Sequence, residues 1–226
     1  MERLQLIRIL LVADDPALAR WLARVLEDAE RGPMELAGAV GLGEQVSAVA
    51  ARTCPDLIMV DIEAGGNAAI VRLSAQCEAP IVALAAECDA PARARAVRAG
   101  ASGVVLKRDA PATLRKAFRT VKNSELWLDR VATAQLVKDL IGGGGVPRAI
   151  ASTHIGPIAN LTPRESDIVR ALLSHSGASS RVLAAQLGIS EQTLRNHFSS
   201  IYRKLRIPNR VGLVAYAARH CFDNAA

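Results

Sequence analysis

The sequence predicts an α/β fold, a doubly wound five-stranded parallel sheet, followed by a small all-helical domain. Two observations predict it. In the first 122 residues, short apolar runs alternate with stretches of helical periodicity, and from residue 161 onward only helical periodicity remains. Half of the residues are apolar but only 3% are aromatic, so the cores must be built from Ala, Val, Leu and Ile, which suits helices packed closely on a parallel sheet.

The apolar runs are short and nearly continuous, as expected for strands that are buried on both faces. The predicted strands cover residues 7–12, 34–40, 57–60, 80–84 and 103–106. The helices predicted between and after them cover residues 18–30, 44–52, 67–76, 91–99 and 111–122. In such a sheet the crossovers are right-handed and ligands bind at the carboxyl ends of the strands.

Charged residues stand where three of these strands end. Asp14 and Asp15 follow the first strand, Asp61 ends the third, and Lys107 follows the fifth. Neighbouring carboxylates repel one another unless a cation intervenes, and Mg²⁺ is the hard divalent ion that prefers such oxygen ligands. Because a metal and a lysine can together neutralise an incoming phosphoryl group, the set predicts a site that forms an aspartyl phosphate.

These four residues resemble the signature of the receiver domain of two-component response regulators, which has a flavodoxin-like fold. The resemblance implies that Asp61 is the phosphoacceptor and that a histidine kinase supplies the phosphoryl group. It assigns Asp14, Asp15 and Lys107 as supporting residues. It also implies a Mg²⁺ site formed by Asp14, Asp15, Asp61 and the backbone carbonyl of Glu63.

Other positions depart from the receiver pattern. Ala85 stands at the end of strand four, where the family carries a hydroxyl that hydrogen-bonds the phosphoryl group, and Val104 replaces the aromatic switch residue of strand five. The Met-Pro pair common after the acceptor is also missing. Phosphorylation control therefore has an alternative, in which a ligand or a partner protein controls the receiver. A more remote alternative is an aspartyl-phosphate hydrolase that uses Glu63 as its acid/base.

The second half begins with a helix start signal. Thr162, Pro163 and Glu165 have the spacing of a capping box with proline at the first helical position, and Gly177 is a candidate left-handed stop for this helix. A second helix is predicted at residues 181–187 and a third at residues 191–205, after a turn at Gly188 and a cap at Ser190. On the third helix a continuous apolar stripe predicts one packed face and one free face: Leu194, Phe198, Ile201 and Leu205.

This arrangement resembles the DNA-binding domain of LuxR-type transcription factors. The matching positions are Leu161, Thr162, Arg164, Glu165, Gly177, Leu187, Ile189, Ser190, Thr193, His197, Ile201, Lys204, Leu205 and Arg210. The resemblance implies that the third of four helices enters the major groove of double-stranded DNA. Ser199 departs from the longer basic side chain of some relatives, and Ser180-Arg181-Val182 replaces a more usual Asn-Lys-Glu run.

By position on that helix, Arg195, Asn196 and Ser199 are the candidate base readers. Arg195 suits a two-pronged contact to guanine, with a phosphate contact as the alternative. His197 is assigned to a phosphate contact or to local packing. The candidates for contacts to backbone phosphates are Thr193, Arg203, Lys204, Arg206 and Arg210.

The charge distribution supports a nucleic-acid partner. Residues 147–226 hold 10 of the 28 basic residues but only 4 of the 22 acidic ones, and the other 146 residues hold 18 of each, so the net charge of +6 is entirely C-terminal. A basic module joined to a neutral one is the electrostatic pattern of a DNA reader attached to a controlling domain.

We place the receiver at residues 1–122, a linker at 123–160 and the DNA-binding domain at 161–226. The linker resembles that of the NarL/FixJ group, in which an extra helix follows the receiver; Trp127 is predicted to anchor this helix, and Gly142 to Gly145 to form a hinge. The final helix, capped by Asn209, has an apolar face that either forms a homodimer or belongs to the domain core: Val211, Leu213, Val214, Tyr216 and Ala217. Pro91, Arg93, Arg95 and Arg98 form either a second dimer surface or a solvated face.

Composition excludes several classes of protein. The four cysteines have neither metal-site nor disulfide-framework spacing, and no apolar run approaches the about 18 residues of a membrane span. Charges interrupt the N-terminus where a signal peptide would be apolar. The sequence thus predicts a cytoplasmic transcriptional regulator that is not an enzyme.

Overall fold

The computed structural model describes residues 6–27, 32–43, 46–63, 65–128, 160–175 and 178–220. The strands are β1 (Ile7–Val12), β2 (Met34–Val40), β3 (Leu57–Asp61), β4 (Ile81–Ala85) and β5 (Gly103–Leu106). The N-terminal helices are α1 (Pro16–Leu26), α2 (Val46–Thr53), α3 (Gly66–Gln76), α4 (Ala90–Ala99) and α5 (Pro111–Lys122). The C-terminal helices are α6 (Pro163–Ser174), α7 (Ser180–Gln186), α8 (Glu191–Leu205) and α9 (Arg210–His220).

The predicted doubly wound sheet is confirmed. The strands lie in the order β2-β1-β3-β4-β5, and every neighbouring pair is parallel. The order reverses between β1 and β3, which is where a doubly wound sheet opens a crevice at the carboxyl ends of its strands. Asp14 and Asp15 therefore lie beside the end of β3, which carries Asp61.

Side chains alternate along the central strands and supply a core on each face of the sheet. Leu11 and Met59 point towards α1 and α5, whereas Leu10 and Ile58 point towards the face covered by α2, α3 and α4. Arg115 of α5 is a buried exception. Its guanidinium donates to two backbone carbonyls at the end of α1 and before β2, so the buried charge is hydrogen-bonded.

Helix bounds agree with the predicted ones within a few residues. Asp15 caps α1, and Pro16 occupies the first turn. The first helix was predicted to extend to Glu30, but α1 ends at Leu26, and residues 28–31 are outside the described residues. The predicted first residues of the second helix, 44 and 45, are also outside them.

The C-terminal domain packs its helices around one apolar core, to which the predicted stripe of α8 contributes. Both hydrogen bonds of the capping box are present at Thr162 and Glu165, which confirms that prediction. Ser179 caps α7, which begins at Ser180. Gly177, the predicted stop of α6, lies outside the described residues.

The linker leaves α5 through a turn at Asn123 and Ser124 and then reaches the sheet. Trp127 pairs with Gly103 in an isolated parallel bridge, and its ring packs on the core between the sheet, α1 and α5. A Cβ at Gly103 would approach the Cβ of Trp127 to 2.6 Å, so this close contact requires glycine. Trp127 thus anchors the start of the linker to the sheet. The predicted extra helix and the Gly142 to Gly145 hinge fall on residues that are not described.

The two domains contact each other through α4 and α9. Val97 of α4 is buried against Val211 and Ala215 of α9. The side-chain amide of Asn209, which also caps α9, donates to the backbone carbonyl of Ala101 at 3.0 Å. In the described part of the chain, no helix combines the length and the apolar character needed to cross a membrane.

Candidate functional site

Asp61 and Lys107 meet at the carboxyl edge of the sheet. Lys107 Nζ lies 3.0 Å from Asp61 Oδ2, and the Asp61 residue is 7% exposed. The backbone amide of Lys107 donates to the carbonyl of Ala85, which fixes the residue beside β4. Asp61 Oδ1 accepts a hydrogen bond from the backbone amide of Glu63 at 3.3 Å. The structure therefore brings together the predicted acceptor and the predicted lysine.

Asp14 and Asp15 lie at the same edge, but their side chains bond to backbone amides. Asp14 Oδ1 accepts from the amide of Leu42, and Asp15 Oδ1 accepts from the amide of Ala17, each at 2.8 Å. Gly41 lies against Asp14, since a Cβ there would approach Asp14 Oδ1 to 2.9 Å. The loop after β2 and the first turn of α1 thus orient the acidic pair.

The predicted metal ligands are present but are not assembled. Among the described residues, no group of three or more His, Cys, Asp or Glu side chains lies close enough to hold a metal ion. The carboxylates of Asp14, Asp15 and Asp61 have the oxygen donors that Mg²⁺ prefers. Asp14 and Asp15 each use Oδ1 to accept a hydrogen bond from a backbone amide.

The side chain of Glu63 has a contact that was not predicted. Its Oε1 accepts a hydrogen bond of 2.7 Å from the backbone amide of Ala86, directly after β4. The sequence assigned the backbone carbonyl of Glu63 to the metal site, and its side chain only to the acid/base role of the remote hydrolase alternative. Its position two residues after Asp61 was visible, but nothing in the spacing indicates that its side chain reaches the next strand.

Two of the departures from the receiver pattern, Ala85 and Val104, lie in apolar surroundings. Ala85 is fully buried, and its side chain offers no hydrogen-bonding group. Val104 is partly buried and packs with the core on the α3 and α4 face. A phosphoryl group on Asp61 would therefore meet neither a hydroxyl from position 85 nor an aromatic ring from position 104.

The prediction that α8 has a packed apolar face is confirmed. The four residues of the stripe are fully buried in the domain core. Of the candidate base readers, Asn196 and Ser199 are exposed and Arg195 is partly exposed. Thr193 and Arg206 are exposed too, and His197 is partly exposed. These side chains form one polar side of the helix.

Arg210 does not belong to that surface. It is 6% exposed, its guanidinium donates to the carbonyl of Ala178 at 2.6 Å, and it lies over the ring of Phe198 at 5.8 Å. Burial lowers its pKa from the usual value. In this arrangement Arg210 joins α9 to the domain core. The phosphate contact assigned to Arg210 from the sequence stays a prediction.

Lys204 is also engaged within the domain. Its Nζ lies 2.7 Å from Oε2 of Glu165, a carboxylate that also accepts hydrogen bonds from Ser200 and from the backbone amide of Thr162. Burial alone would raise the pKa of Glu165, but the hydrogen bonds from Lys204, Thr162 and Ser200 lower it to about 2. The capping carboxylate thus holds α6 and α8 together.

The receiver lies beside part of the polar side of α8. Arg203 forms an ion pair with Glu78, which follows α3, at 3.5 Å. A cavity of about 470 Å³ lies between the domains and is lined by residues 74–78 of the receiver and by Ser199, Arg203 and Arg206 of the candidate DNA interface. In this arrangement a base reader and two phosphate-contact candidates face the receiver.

Residues of α9 pack on two different surfaces. Leu213, Val214, Tyr216 and Ala217 belong to the core of their own domain, which agrees with the alternative that this face is intradomain. Val211 instead packs on the receiver. A second copy of the chain would therefore have to use other surfaces of α9, or displace the receiver from it.

Two family models match the chain. Residues 9–119 match the response regulator receiver domain, and residues 159–217 match the model described as bacterial regulatory proteins, luxR family. The matched residues include the acidic pair, Asp61, Lys107 and the whole of α8.

Relatives match over nearly the whole length. A nitrate/nitrite response regulator protein homolog of Haemophilus influenzae is 28% identical over 91% of this chain and 93% of the relative. The nitrate/nitrite response regulator protein NarL of Escherichia coli is 28% identical over 90% of this chain and 91% of its own length. A solved structure, a LuxR-family two-component response regulator from Aurantimonas sp. SI85-9A1, has a TM-score of 0.51 and 22% identity, and covers 60% of this chain and 98% of that chain. That likeness shows a shared fold.

Both relatives are named as response regulators, and the second family model describes bacterial regulatory proteins, so the comparisons give the hydrolase alternative no support. The receiver sheet, the helix-turn-helix arrangement and the two matched models agree along the chain. The chain therefore belongs to the two-component response regulators that join a receiver domain to a LuxR-type DNA-binding domain.

Proposed function

We propose that phosphorylation of Asp61 controls how this response regulator binds DNA. The observation that carries the proposal is the contact of 3.0 Å between the Asp61 carboxylate and the Lys107 ammonium, at the edge of the sheet where ligands bind. The ammonium neutralises the carboxylate at rest. It would hold a phosphoryl oxygen once the carboxylate has become an acyl phosphate.

The transfer itself is an exchange of bonds at phosphorus. A carboxylate oxygen of Asp61 attacks the phosphoryl group of a phosphohistidine on a kinase, the new O–P bond forms, and the N–P bond breaks, which leaves the histidine of the kinase as the leaving group. The chain's own contribution is to position Asp61 through β3 and to stabilise the transferred charge with Lys107.

The receiver family typically uses Mg²⁺ for phosphorylation, and we propose the same ion here. Asp14, Asp15, Asp61 and the backbone carbonyl of Glu63 would hold it, because these oxygen donors suit the ion. The ion would neutralise negative charge on the phosphoryl group. Asp14 and Asp15 each accept a backbone amide through Oδ1, and their Oδ2 atoms would be available to the ion.

We further propose that a homodimer places two copies of α8 in successive major grooves of a palindromic site. Arg195, Asn196 and Ser199 would read bases, while Thr193, His197, Arg203, Lys204 and Arg206 would contact phosphates once the domains separate. Exposure of most of this set on one side of the helix supports the assignment. The receiver boundary at residue 122 and the DNA-binding domain start at residue 161 are part of the same proposal.

Control would operate through the contact between the domains. In the present arrangement Glu78 pairs with Arg203, and α4 covers part of α9. Phosphorylation would have to weaken these contacts before α8 can enter a groove. We thus propose that the receiver acts by changing how much of α8 and α9 is exposed.

The test is phosphorylation of the full chain by acetyl phosphate with Mg²⁺, measured by intact mass, dimer formation and affinity for duplex DNA. We expect an adduct on the wild type, none on Asp61→Asn, and stronger dimerisation and DNA binding only where the adduct forms. A wild type that takes up no phosphoryl group, or that binds DNA equally well with it, contradicts the proposal.

A second candidate is control by a ligand or a partner protein without phosphorylation. The apolar side chains at Ala85 and Val104 favour it, since they cannot respond to a phosphoryl group as a hydroxyl and an aromatic ring would. If the adduct never forms, while Asp61→Asn leaves dimerisation and DNA affinity unchanged, this candidate replaces the first.

A further inference from the structure

The side chains of Gln192 and Asn196 are paired on the outer side of α8. Nε2 of Gln192 donates to Oδ1 of Asn196 at 3.1 Å, and both residues are exposed. Residues four positions apart in an α-helix lie one above the other on the same face, so the contact follows from the spacing of the two residues. It lies in the first half of α8, which begins at Glu191.

The packing of α8 keeps this pair turned away from the domain core. Leu194 and Phe198 are fully buried, so the helix cannot rotate about its axis without exposing them. The start of the helix is fixed by Ser190, whose side-chain oxygen accepts the backbone amide of Thr193 at 3.0 Å. The Gln192–Asn196 pair therefore has a defined position on the surface that we propose enters the major groove.

The contact determines which atoms of Asn196 are available to a base. Oδ1 is engaged as an acceptor by Gln192, whereas Nδ2 has no hydrogen-bond partner among the residues that the structure describes. Arginine donates to O6 and N7 of guanine, while asparagine accepts from N6 and donates to N7 of adenine. An asparagine whose oxygen is already engaged acts as a donor, and it therefore suits the same base edge as an arginine.

Resting on the proposed role of Asn196 as a base reader, we propose that Gln192 is a positioning residue that makes Asn196 select guanine over adenine. The Nε2 donor of Gln192 holds Oδ1 of Asn196, and the Nδ2 donor of Asn196 is left for O6 and N7 of guanine. Adenine presents its N6 donor where guanine presents O6, so two donors would oppose each other there. The neighbouring Arg195 also offers only donors, so both residues favour guanine.

Two substitutions at position 192 separate donation from acceptance. Gln192→Lys keeps a donor for Oδ1 of Asn196 and has no acceptor. Gln192→Glu has only acceptors, so it pairs with Nδ2 of Asn196 and turns Oδ1 outward. Gln186→Glu is the matched control, because it introduces the same charge at an exposed glutamine of α7. Asn196→Ala identifies the base position that Asn196 reads.

The experiment first selects duplexes from a randomised pool with the full-length wild type and with full-length Asn196→Ala. The position at which Asn196→Ala loses its preference is then occupied by guanine or by adenine in two otherwise identical duplexes, and fluorescence titrations measure the affinity of each variant for both. We expect the wild type and Gln192→Lys to bind the guanine duplex about tenfold more tightly. Gln192→Glu should bind the adenine duplex more tightly, and Gln186→Glu should retain the wild-type ratio.

The ratio of the two affinities is insensitive to changes in stability or in net charge, because these affect both duplexes alike. A guanine preference that Gln192→Glu leaves unchanged overturns the inference but leaves Asn196 as a base reader. A wild type that prefers any other base at that position overturns it as well. If the wild type selects no sequence, or the same sequence as Asn196→Ala, the base-reader role of Asn196 is overturned, and the positioning role of Gln192 with it.

Discussion

The stability of the C-terminal domain depends on the negative charge of Glu165. Its carboxylate is nearly inaccessible and accepts hydrogen bonds from Thr162, Ser200 and Lys204, which outweigh the effect of burial and lower its pKa from 4.5 to about 2. A carboxyl group with a lowered pKa in the folded state stabilises the protein above its unfolded pKa. That contribution is lost as the pH falls through the folded pKa.

We therefore expect the C-terminal domain to lose stability between about pH 5 and pH 2. Glu165→Gln should lack this dependence, so the wild type should lose about 2 kcal/mol more than the variant over that range. Urea unfolding, followed by hydrogen exchange of peptides from α6 and α8, measures the difference. Asp167→Asn is the control, because Asp167 forms only an exposed pair with Arg170. Parallel pH profiles for the wild type and Glu165→Gln would contradict the assignment.

At the residue scale, the sequence predicted contacts well when they are local and poorly when they cross between elements. The capping box of Thr162 and Glu165 lies within four residues, and the structure confirms it. The bonds from Lys204 to Glu165 and from Ala86 to Glu63 join residues that are 39 and 23 positions apart. No periodicity indicates such partners, so neither of these two side-chain contacts was predicted.

At the scale of the elements, hydrophobic periodicity predicted the fold because it reports which side of an element is buried. Every predicted strand is present, and the stripe on α8 is buried as predicted. The free side of α8 was predicted from the residues that do not belong to the stripe. The burial of Arg210 was not predicted, because Arg210 lies at the start of α9, where the stripe of α8 gives no information about its side chain.

Arg203 and Arg210 allow two roles of arginine to be measured separately, namely contact with DNA and stabilisation of the domain. Arg203 is exposed on α8, and Arg210 is buried over Phe198. We expect Arg203→Ala to weaken DNA binding and to reduce the slope of log affinity against log salt by about 1, with little change in stability. Arg210→Ala should leave the salt slope unchanged but lower the free energy of unfolding by about 2 kcal/mol.

Fluorescence titrations of duplex DNA at several salt concentrations, together with urea unfolding of both variants, test this pair. The exposed Arg181 of α7 supplies a matched control for loss of one positive charge in the same domain. A reduced salt slope in Arg210→Ala with normal stability would return Arg210 to the DNA interface. An unchanged slope in Arg203→Ala would remove Arg203 from it.

At the scale of the whole molecule, the contact between the domains is the feature that the sequence did not predict. Val97 has the spacing of an ordinary core residue of α4, and Asn209 that of an ordinary cap of α9. In the structure Val97 packs on the other domain, and the side chain of Asn209 both caps α9 and bonds to the Ala101 carbonyl. Periodicity indicates that a residue is buried but not which surface buries it.

Tyr202 shows that this contact is imperfect. Among the described residues its hydroxyl is a buried group without a hydrogen-bond partner, and burial raises its pKa. It lines two cavities between the domains. The Glu78–Arg203 ion pair between the domains is exposed and therefore adds little to the stability of the closed arrangement. Such an interface is suited to opening in response to a signal.

Val97→Asp tests whether this contact restrains DNA binding. The substitution places a carboxylate against Val211 and Ala215, and burying an unpaired charge is unfavourable by several kcal/mol, so the domains should separate. We expect small-angle scattering to show a larger radius of gyration and the unphosphorylated chain to bind duplex DNA about tenfold more tightly. Ala51→Asp, an exposed site on α2, is the matched control and should change neither quantity. A folded Val97→Asp variant that stays compact, or that opens without a gain in DNA affinity, would show that the α4–α9 contact does not restrain α8.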